Sequence, residues 1–451
     1  MEVADSKYKV EDFDLVQLTV TDMNGIPRGK FVPQNVARAA FRRGLEIQLF
    51  LTGIGLNGEF PLSVPELAED NFGSGIFIPV PTTLVEIPWA SSPGCRVGEV
   101  IGHILTEKGV PDEMSIRNMI EELLLKLGNM GLSFKSSISS QFKAFKQGTD
   151  YTEVLGTDKG SVLSPYGSLG AEMMMVDLCA QLGGAGVEVR TWTHGAGPGS
   201  FEVSLPTLEG LQTGDAGFRL KYGVKALMLK AGYDVTFMAQ PGVPAGDNSS
   251  SVWKFSFTVC TVDGQNAFLD TFKDDKLSDL CRMWVAGMLY HGPSMTALCR
   301  PTVNCYGPSR DDRPTFPRRA DWAFSSDSAF INVVRKGAAV WLELRVVSSA
   351  CNPYFPLLTA LASGLDGVEK AMTLPQASDP SASPFPESLS DALKVLRKND
   401  MFRSVLSPMF VDCFCSVKEE AEIARITELR EGGGTEEDVR VLERELYFRS
   451  V

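Results

Sequence analysis

The strand-like segments that follow residue 110 constrain the fold most, because longer helical segments separate them at irregular intervals. Each alternates apolar and polar side chains, which is typical of a half-buried β-strand. They read VEVRTW, FEVSL, YDVTFMA, VWKFSFTVC and VWLELRVV. Parallel βαβ units would repeat at a regular short spacing, which this chain lacks. We therefore predict an α+β fold with a large, mainly antiparallel sheet.

The first part of the chain has a different pattern. From Phe13 to Pro88 the alternation has mostly a period of two and is interrupted by turn signals such as DMNG, which indicates a small strand-rich domain. A helix is predicted to begin after Ser115, whose hydroxyl is expected to cap it. The domain boundary therefore falls at residue 110. It gives an N-terminal domain of residues 1–110 and a C-terminal domain of residues 111–451.

Three later helix starts carry capping signals. Asn352 is expected to cap the helix in NPYFPLLTALASGLDG. Ser416 with Glu419, and Thr435 with Asp438, have the spacing of capping boxes. Each box predicts the start of a charged amphipathic helix near the C-terminus.

Charge and composition exclude several classes of protein. The formal net charge is -13, whereas a protein that binds nucleic acid or an anionic membrane needs a basic face, so neither partner is expected. The nine cysteines are scattered without paired spacing, which favours a reducing compartment. No apolar run approaches the roughly 18 residues of a membrane-spanning helix. We therefore expect a cytoplasmic protein.

The glycine-rich segment GIGLNG matches a dinucleotide-binding pattern. The residues that follow it include Pro61 and Pro65, which stop the helix whose N-terminus would hold a pyrophosphate. We therefore interpret this segment as a turn and expect no nucleotide cofactor there.

Few side chains suit metal or nucleophilic chemistry. The three histidines, His103, His194 and His291, have neither zinc-ligand spacing nor a recognisable nucleophile partner. Four arginines in SRDDRPTFPRRADW form a basic cluster that could bind phosphate or a carboxylate, but neighbouring aspartates offer internal salt bridges, so both interpretations stay open. The arginines are Arg310, Arg313, Arg318 and Arg319, and the aspartates are Asp311, Asp312 and Asp321.

Five segments together resemble the type I glutamine synthetase superfamily. They are VTDMNGIPRGKFVP, TTLVEIPWA, GPGSFEVSLP, LELRVVSSACNPYFPLLTALASGLDG and the helical C-terminal tail, and their order follows that family from about Phe13 onward. The resemblance implies an N-terminal β-grasp domain and a C-terminal domain with a curved antiparallel sheet and flanking helices. It also implies a homo-oligomer, commonly a dodecamer of two stacked hexamers, with active sites between neighbouring subunits.

The family's reaction uses ATP to convert glutamate into an acyl phosphate, from which ammonia displaces the phosphate. Two divalent metals screen the phosphate oxygens, and carboxylates and one histidine hold them. By this resemblance two metal-ligand positions keep their carboxylates, Glu202 and Glu343, and Arg345 keeps a substrate or phosphate position. The family has carboxylates, a glutamine, a metal-binding histidine and an arginine at the positions that are replaced here. These are Ser139, Gln141 and Gly195 for the carboxylates, Ser200 for the glutamine, Trp253 for the histidine and Asp327 for the arginine.

A site for hard cations is lost when most of its ligands are removed. Removing a single preorganised electrostatic group already costs about 10²-fold in rate. We therefore expect no catalytic residue, no metal and no cofactor, and a structural protein that acts through oligomeric assembly and protein partners such as the cytoskeleton. The pattern of losses resembles that of the glutamine-synthetase-like proteins of the vertebrate eye lens.

Two alternatives of other classes stay open. One is a γ-glutamyl ligase that uses a different amine. The other is an amino-acid sensor that needs no metal, in which Arg345 pairs with a carboxylate of the ligand.

Overall fold

The computed structural model describes residues 7–60, 64, 73–156, 165–195, 197–243, 251–306 and 317–451. Two sheets and the helices packed on them form an α+β architecture, as predicted. The strands are β1 (Leu15–Thr21), β2 (Pro27–Pro33), β3 (Leu45–Gln48), β4 (Ser74–Pro79), β5 (Val85–Glu86), β6 (Val97–Thr106), β7 (Leu132–Lys146), β8 (Thr191–His194), β9 (Ser200–Ser204), β10 (Leu208–Glu209), β11 (Tyr233–Thr236), β12 (Trp253–Thr261), β13 (Trp322–Phe324), β14 (Ile331–Lys336) and β15 (Ala339–Leu344).

The helices lie mainly in the second half of the chain. They are α1 (Gln34–Arg43), α2 (Ile116–Asn129), α3 (Glu172–Gly184), α4 (Gln212–Lys230), α5 (Asp279–Cys299), α6 (Tyr354–Glu369), α7 (Leu389–Arg397), α8 (Asp400–Leu406), α9 (Pro408–Val417), α10 (Ala424–Glu431) and α11 (Glu436–Tyr447). A π-helical segment, Lys418–Ile423, joins α9 to α10. Within the described ranges, no helix combines the length and the apolar character needed to cross a bilayer.

The N-terminal sheet has a β-grasp arrangement. Its strand order is β2-β1-β6-β4-β3, with β5 paired to β6. β1 runs parallel to β6, and the other pairs are antiparallel. Helix α1 packs on this sheet, because Ala37 and Ala40 on its buried face join a core that includes Phe13, Phe77 and Val100. This small core stabilises the part of the chain in which the sequence predicts strands.

The second sheet carries the candidate site. Its order is β13-β14-β15-β12-β7-β9-β8, and the long strand β7 also pairs with β10 and β11. Only the β13–β14 pair is parallel among the pairs of described strands in this sheet, so the prediction of a mainly antiparallel sheet is confirmed. The first sheet ends at Thr106 and the second begins at Leu132. The division at residue 110 itself stays a prediction.

Helices α5 and α6 approach each other closely through glycines. A Cβ atom added to Gly287 of α5 would lie 2.7 Å from the Cα atom of Gly367 on α6 and would overlap the Ser363 carbonyl oxygen. A Cβ atom on Gly364 would overlap the indole ring of Trp284. Only glycine permits this contact between the backbones of α5 and α6.

One buried ion pair joins the N-terminal sheet to α4, and a second joins α4 to α2. Arg219 of α4 donates to Glu99 of β6 at 2.7 Å. Arg117 of α2 pairs with Asp215 of α4 at 3.1 Å, and Asp215 also accepts a hydrogen bond from the Tyr354 hydroxyl at 2.5 Å. Burial raises the pKa of Asp215, but Arg117 and Tyr354 outweigh it and hold that pKa below its ordinary value. Removing one partner of such a pair typically costs about 3–5 kcal/mol.

A second buried network joins the two ends of the chain. The Lys418 ammonium donates to Asn24 Oδ1 at 3.1 Å and to Glu422 Oε1 at 2.6 Å. The Tyr447 hydroxyl of α11 donates to the other oxygen of Glu422 at 2.8 Å. These groups are buried, so the π-helical segment is fixed between the β1–β2 turn, which carries Asn24, and the last helix, α11.

Local capping signals are confirmed in part. Helix α2 begins after Ser115 as predicted, but the Ser115 hydroxyl makes no capping hydrogen bond. Thr435 and Asp438 form the predicted capping box at the start of α11. The Asn352 side chain accepts a hydrogen bond from the Tyr354 amide at 3.1 Å, which is the expected cap of α6.

The prediction that Ser416 begins a helix is wrong. Ser416 is buried inside α9, which begins at Pro408 and is capped by the Ser407 hydroxyl. Phe410 and Phe414 stack on each other and are buried, so apolar packing extends the helix upstream of the charged segment. Tertiary burial therefore outweighs the local capping-box pattern.

Candidate functional site

One face of the second sheet collects most of the residues singled out from the sequence. Side chains two apart on a strand share a face, so Ser139 and Gln141 of β7 lie on the same side. The strand register places Glu202 of β9 opposite Gln141, and Lys254 of β12 opposite Ser139. We call the side of the sheet that carries Ser139, Gln141, Glu202 and Lys254 the site face. Ser200 of β9 also belongs to it and lies opposite Lys143, which is fully buried.

Glu202 is held by donors from its own sheet. Ser139 Oγ donates to Glu202 Oε1, and Gln141 Nε2 donates to Glu202 Oε2 at 2.7 Å. The Lys254 ammonium lies 3.9 Å from Glu202 Oε1. Burial alone raises the pKa of Glu202, but these hydrogen bonds and the charges of Lys254 and Arg345 outweigh it and hold that pKa below its ordinary value. Both carboxylate oxygens are therefore occupied by protein donors.

Glu343 lies on β15 in the same sheet and is also paired within the chain. Asn332 of β14 is opposite Glu343 in register and donates to Glu343 Oε2 at 2.8 Å. Arg345 lies 3.6 Å from the same oxygen and pairs with Asp327 at 3.0 Å. Asp327, which the resemblance aligns with an arginine of the family, thus pairs with Arg345 together with Glu343. Arg345 is mostly buried, whereas Asp327 is exposed.

Gly195 and Ser200 close the hairpin between β8 and β9. The Gly195 amide donates to the Ser200 carbonyl at 2.7 Å. A Cβ atom on Gly195 would overlap Ser200 Oγ, so a longer side chain there would require Ser200 to move. The neighbouring His194 points to the opposite face, where its ring packs edge-on against Phe201. Burial lowers the pKa of His194 and favours its neutral form.

Trp253 does not join the site face. It is opposite Ser140 in register, so its side chain lies on the buried side of the sheet and is only 1% exposed. There it packs against α4, with the Lys221 ammonium 5.7 Å from its ring. The residue of β12 that reaches Glu202 is Lys254. The alternation of Trp253 and Phe255 with Lys254 in the sequence is the signal that could have identified it.

The other candidate residues are dispersed. Arg310 and Arg313, with Asp311 and Asp312, fall outside the described ranges. Arg319 donates to the Pro380 carbonyl, and Asp321 accepts a hydrogen bond from the Phe330 amide at 3.1 Å. His103 and His291 lie in separate networks with Asn118 and Asp366. The structure therefore does not bring Arg319, Asp321, His103 or His291 to the site face.

The residues of the site face do not fit a centre for two divalent metals. Mg²⁺ requires close to six oxygen ligands in octahedral geometry, and both oxygens of Glu202 already accept hydrogen bonds. Two ammonium-bearing residues, Lys143 and Lys254, share the face. Across the described residues, no group of three or more histidine, cysteine, aspartate or glutamate side chains is arranged to hold a metal ion.

The chain is similar to glutamine synthetases, to a gamma-glutamylanilide synthase and to lengsin. It is 26% identical to glutamine synthetase of Thermus thermophilus over 91% of this chain and 92% of that enzyme. It is 24% identical to gamma-glutamylanilide synthase of Acinetobacter sp, covering 88% of this chain and 85% of the relative. Lengsin of Homo sapiens is 26% identical over 91% of this chain and 81% of lengsin. The likeness to lengsin is thus no stronger than the likeness to an enzyme.

A solved structure shares the same fold. It is described as a novel glutamine synthase homolog, and the two chains superpose with a TM-score of 0.82 at 19% identity, covering 96% of this chain and 99% of the other. The family described as glutamine synthetase, catalytic domain, matches residues 113–432. That match spans the whole second sheet and the site face, and this chain therefore belongs to the glutamine synthetase catalytic-domain family.

Proposed function

We propose that this chain is a non-catalytic member of its family and acts as an oligomeric structural protein. The observation that carries this proposal is the pairing of Glu202 with Ser139, Gln141 and Lys254. Where the family is expected to gather carboxylates around metals, this chain supplies neutral donors and an ammonium group. A carboxylate stabilised in this way contributes to the stability of the sheet and is not available as a free metal ligand.

The electrostatics of the site face support the same proposal. A cation bound beside Glu202 would have to share oxygens that already accept hydrogen bonds, and it would approach the charge of Lys254. Arg345 is engaged by Asp327 and Glu343, so it would first have to leave these partners to bind phosphate or a substrate carboxylate. Several preorganised groups are missing together, and the loss of each one alone reduces a rate about 10²-fold or more.

Titration calorimetry of magnesium-ATP tests the proposal directly. The full chain is titrated with and without glutamate, and ammonia-dependent amide formation is followed in parallel, with glutamine synthetase of Thermus thermophilus as the active control. We expect neither heat of binding nor amide product from this chain. Saturable binding near one nucleotide per subunit, together with amide formation, would refute the proposal.

The proposed structural role requires assembly and partners. We propose a homo-oligomer of stacked rings, in keeping with the family, and a protein partner such as a cytoskeletal element. Analytical ultracentrifugation across a range of concentrations measures the subunit number. A monomer at all concentrations would remove the assembly on which this role depends. A role in the lens would need evidence of its own, because the similarity to lengsin does not exceed that to an enzyme.

A γ-glutamyl ligase with another amine is the second candidate. It is supported by the retained pair of Glu343 and Arg345 and by the similarity to gamma-glutamylanilide synthase. The calorimetric samples are assayed again with aniline in place of ammonia. Amine-dependent release of ADP would favour the ligase, and its absence would leave the non-catalytic proposal standing.

A further inference from the structure

A cleft of about 680 Å³ lies away from the site face. Its walls come from the turn between β1 and β2, from one side of α4, and from the last residues of the chain. The lining residues used below are Ile26, Phe31, Lys221, Lys225, Leu229 and Arg449. None of the residues predicted for the family's metal or phosphate sites lines it.

The charged side chains that line the cleft are all basic. Lys221 and Lys225 stand four residues apart on α4 and therefore share one side of the helix, and Lys30 and Arg449 are the other charged side chains in the lining. No aspartate or glutamate occurs among the lining residues. In a chain with a net charge of -13, a concave surface of this sign is unexpected.

Lys221 and Lys225 of α4 have no carboxylate partner among the described residues. The Lys221 ammonium donates to the carbonyl oxygens of Ser349 at 3.0 Å and Cys351 at 3.1 Å. The Lys225 ammonium donates to the Arg449 carbonyl at 2.9 Å. Throughout the described part of the chain, no salt bridge involves either lysine. Arg449 itself lies 3.7 Å from Asp234.

Lys221 is buried and Lys225 is half-buried, and removing an ammonium group from water is unfavourable without an anion. Burial lowers the pKa of Lys221 to about 8. It also lowers the pKa of Lys225 well below its ordinary value, and the charge of Lys221 lowers it further. Neutral carbonyl oxygens compensate a buried cation only in part. A bound anion would supply the missing countercharge to both lysines.

The rim of the cleft is apolar. Phe31 and Leu229 are 55% and 56% exposed, which is unusual for large apolar side chains, and both belong to this cleft. Ile26 extends the apolar surface on the wall that the β1–β2 turn provides. A ligand that contacts both parts of the cleft would carry a charged head and an apolar body.

The wall formed by the turn is rigid before any ligand arrives. Asp22 Oδ1 accepts hydrogen bonds from the amides of Asn24 at 2.8 Å and Ile26 at 2.9 Å, and Asp22 Oδ2 accepts from Arg28 at 2.9 Å. Asn352 of the α6 cap donates to the Asp22 carbonyl at 3.1 Å. A preformed wall reduces the entropy that ligand binding would otherwise cost.

We propose that this cleft binds a small organic anion whose charged group lies at Lys225 and Lys221 and whose apolar body lies between Phe31 and Leu229. The proposal does not depend on whether the site face is catalytic, because Lys221 packs against Trp253 on the opposite side of the sheet. A ligand here would stabilise the contact between the β1–β2 turn and α4.

Calorimetric titration of the full chain with hexanoate tests the proposal, in the absence of magnesium and nucleotide. Acetate keeps the charge without the apolar body, and 1-hexanol keeps the body without the charge. We expect hexanoate to bind at least about tenfold more tightly than either probe, since a charge-assisted hydrogen bond and apolar burial each contribute about 1.4 kcal/mol or more.

Variants assign the binding to the cleft. Lys225→Gln should weaken hexanoate binding about tenfold, whereas Lys230→Gln, at the exposed end of the same helix, should leave it unchanged. Leu229→Ser removes an exposed apolar contact, so it should weaken hexanoate and leave acetate unaffected, and it decides the question if Lys225→Gln fails to fold by circular dichroism. Absence of saturable hexanoate binding, or equal binding by Lys225→Gln and Lys230→Gln, would overturn the proposal.

Discussion

Replacing Glu202 by glutamine distinguishes a structural carboxylate from a metal ligand. In a metal site without its cation, neighbouring carboxylates repel each other, so removing one charge stabilises the metal-free protein. Glu202 instead receives hydrogen bonds from Ser139 and Gln141 and has a lowered pKa. We therefore expect Glu202→Gln to destabilise the fold.

The size of the effect follows from those two hydrogen bonds. Bonds to a charged acceptor contribute about 1.5–3 kcal/mol, whereas neutral ones contribute about 0.5–1.5 kcal/mol. A glutamine at this position can accept from Gln141 and donate to Ser139, so both bonds survive in neutral form and each loses about 1 kcal/mol. Lys254 is nearly half exposed, so its pairing with Glu202 adds little. The free energy of unfolding should fall by about 2 kcal/mol at neutral pH.

The pH dependence gives a second test of the same variant. Because the pKa of Glu202 in the folded protein is below its ordinary value of 4.5, its stabilisation is present above pH 4.5 and is lost as the pH falls through the folded pKa. The difference between the wild type and Glu202→Gln should therefore shrink in acid.

Urea unfolding monitored by circular dichroism measures both effects at matched protein concentration, since the stability of an oligomer depends on concentration. Glu188→Gln is the control, because Glu188 is exposed and the removed charge is the same. If Glu202→Gln is as stable as the wild type or more stable, while Glu188→Gln is neutral, Glu202 does not have the structural role inferred here.

Four further variants test the buried carboxylate Asp112, the lost metal ligands and the contact between α5 and α6. Burial raises the pKa of Asp112 from 3.8 to about 6. The protonated carboxyl of Asp112 therefore stabilises the fold fully below pH 3.8, and this stabilisation is lost as the pH rises through 6. Asp112→Asn should have a free energy of unfolding up to about 3 kcal/mol higher than that of the wild type above pH 6, measured by urea unfolding. Ser139→Glu combined with Gln141→Glu should create Mn²⁺ binding detectable by calorimetry and should lower the melting temperature without metal, and no binding would mean that more than these two ligands is missing. Gly287→Ala should cost about 3 kcal/mol or more because rigid backbone meets the new methyl group, whereas Gly128→Ala, in open space on α2, should gain about 0.5–1 kcal/mol; thermal unfolding that ranks them in the opposite order would contradict the glycine contact.

The parts of the fold that local physics determines were predictable. The alternation of apolar and polar residues identified β9, β11, β12 and β15 and part of β8, but it assigned no strand at β7, β10, β13 or β14. The capping box of Thr435 with Asp438 identified the start of α11. Ser416 has the same local pattern, yet it lies inside α9 because Phe410 and Phe414 bury the preceding turns. Long-range packing decides between two equivalent local signals, and a single sequence does not reveal that packing.

The candidate site was predictable only in part. The positions on β7 and β9 follow from one strand register, and Ser139, Gln141 and Glu202 do meet. For Trp253 the motif alignment and the strand periodicity disagree. The alignment places Trp253 at a metal-ligand position, whereas its alternation with Lys254 favours the buried face, where the structure has it. The pairing of Glu343 with Asn332 depends on the register of β14 with β15, which no local pattern specifies.

The buried bond between Lys418 and Asn24 spans 394 residues, and this has a consequence for biosynthesis. Chains leave the ribosome from the N-terminus at about 5–20 residues per second, so Asn24 waits on the order of 20 seconds or more for its partner. Until Lys418 and the residues around it are made, the turn that carries Asn24 lacks the segment that buries it. Contacts between residues so far apart in the sequence also form slowly. We therefore expect the nascent N-terminal sheet to need protection by chaperones during this interval.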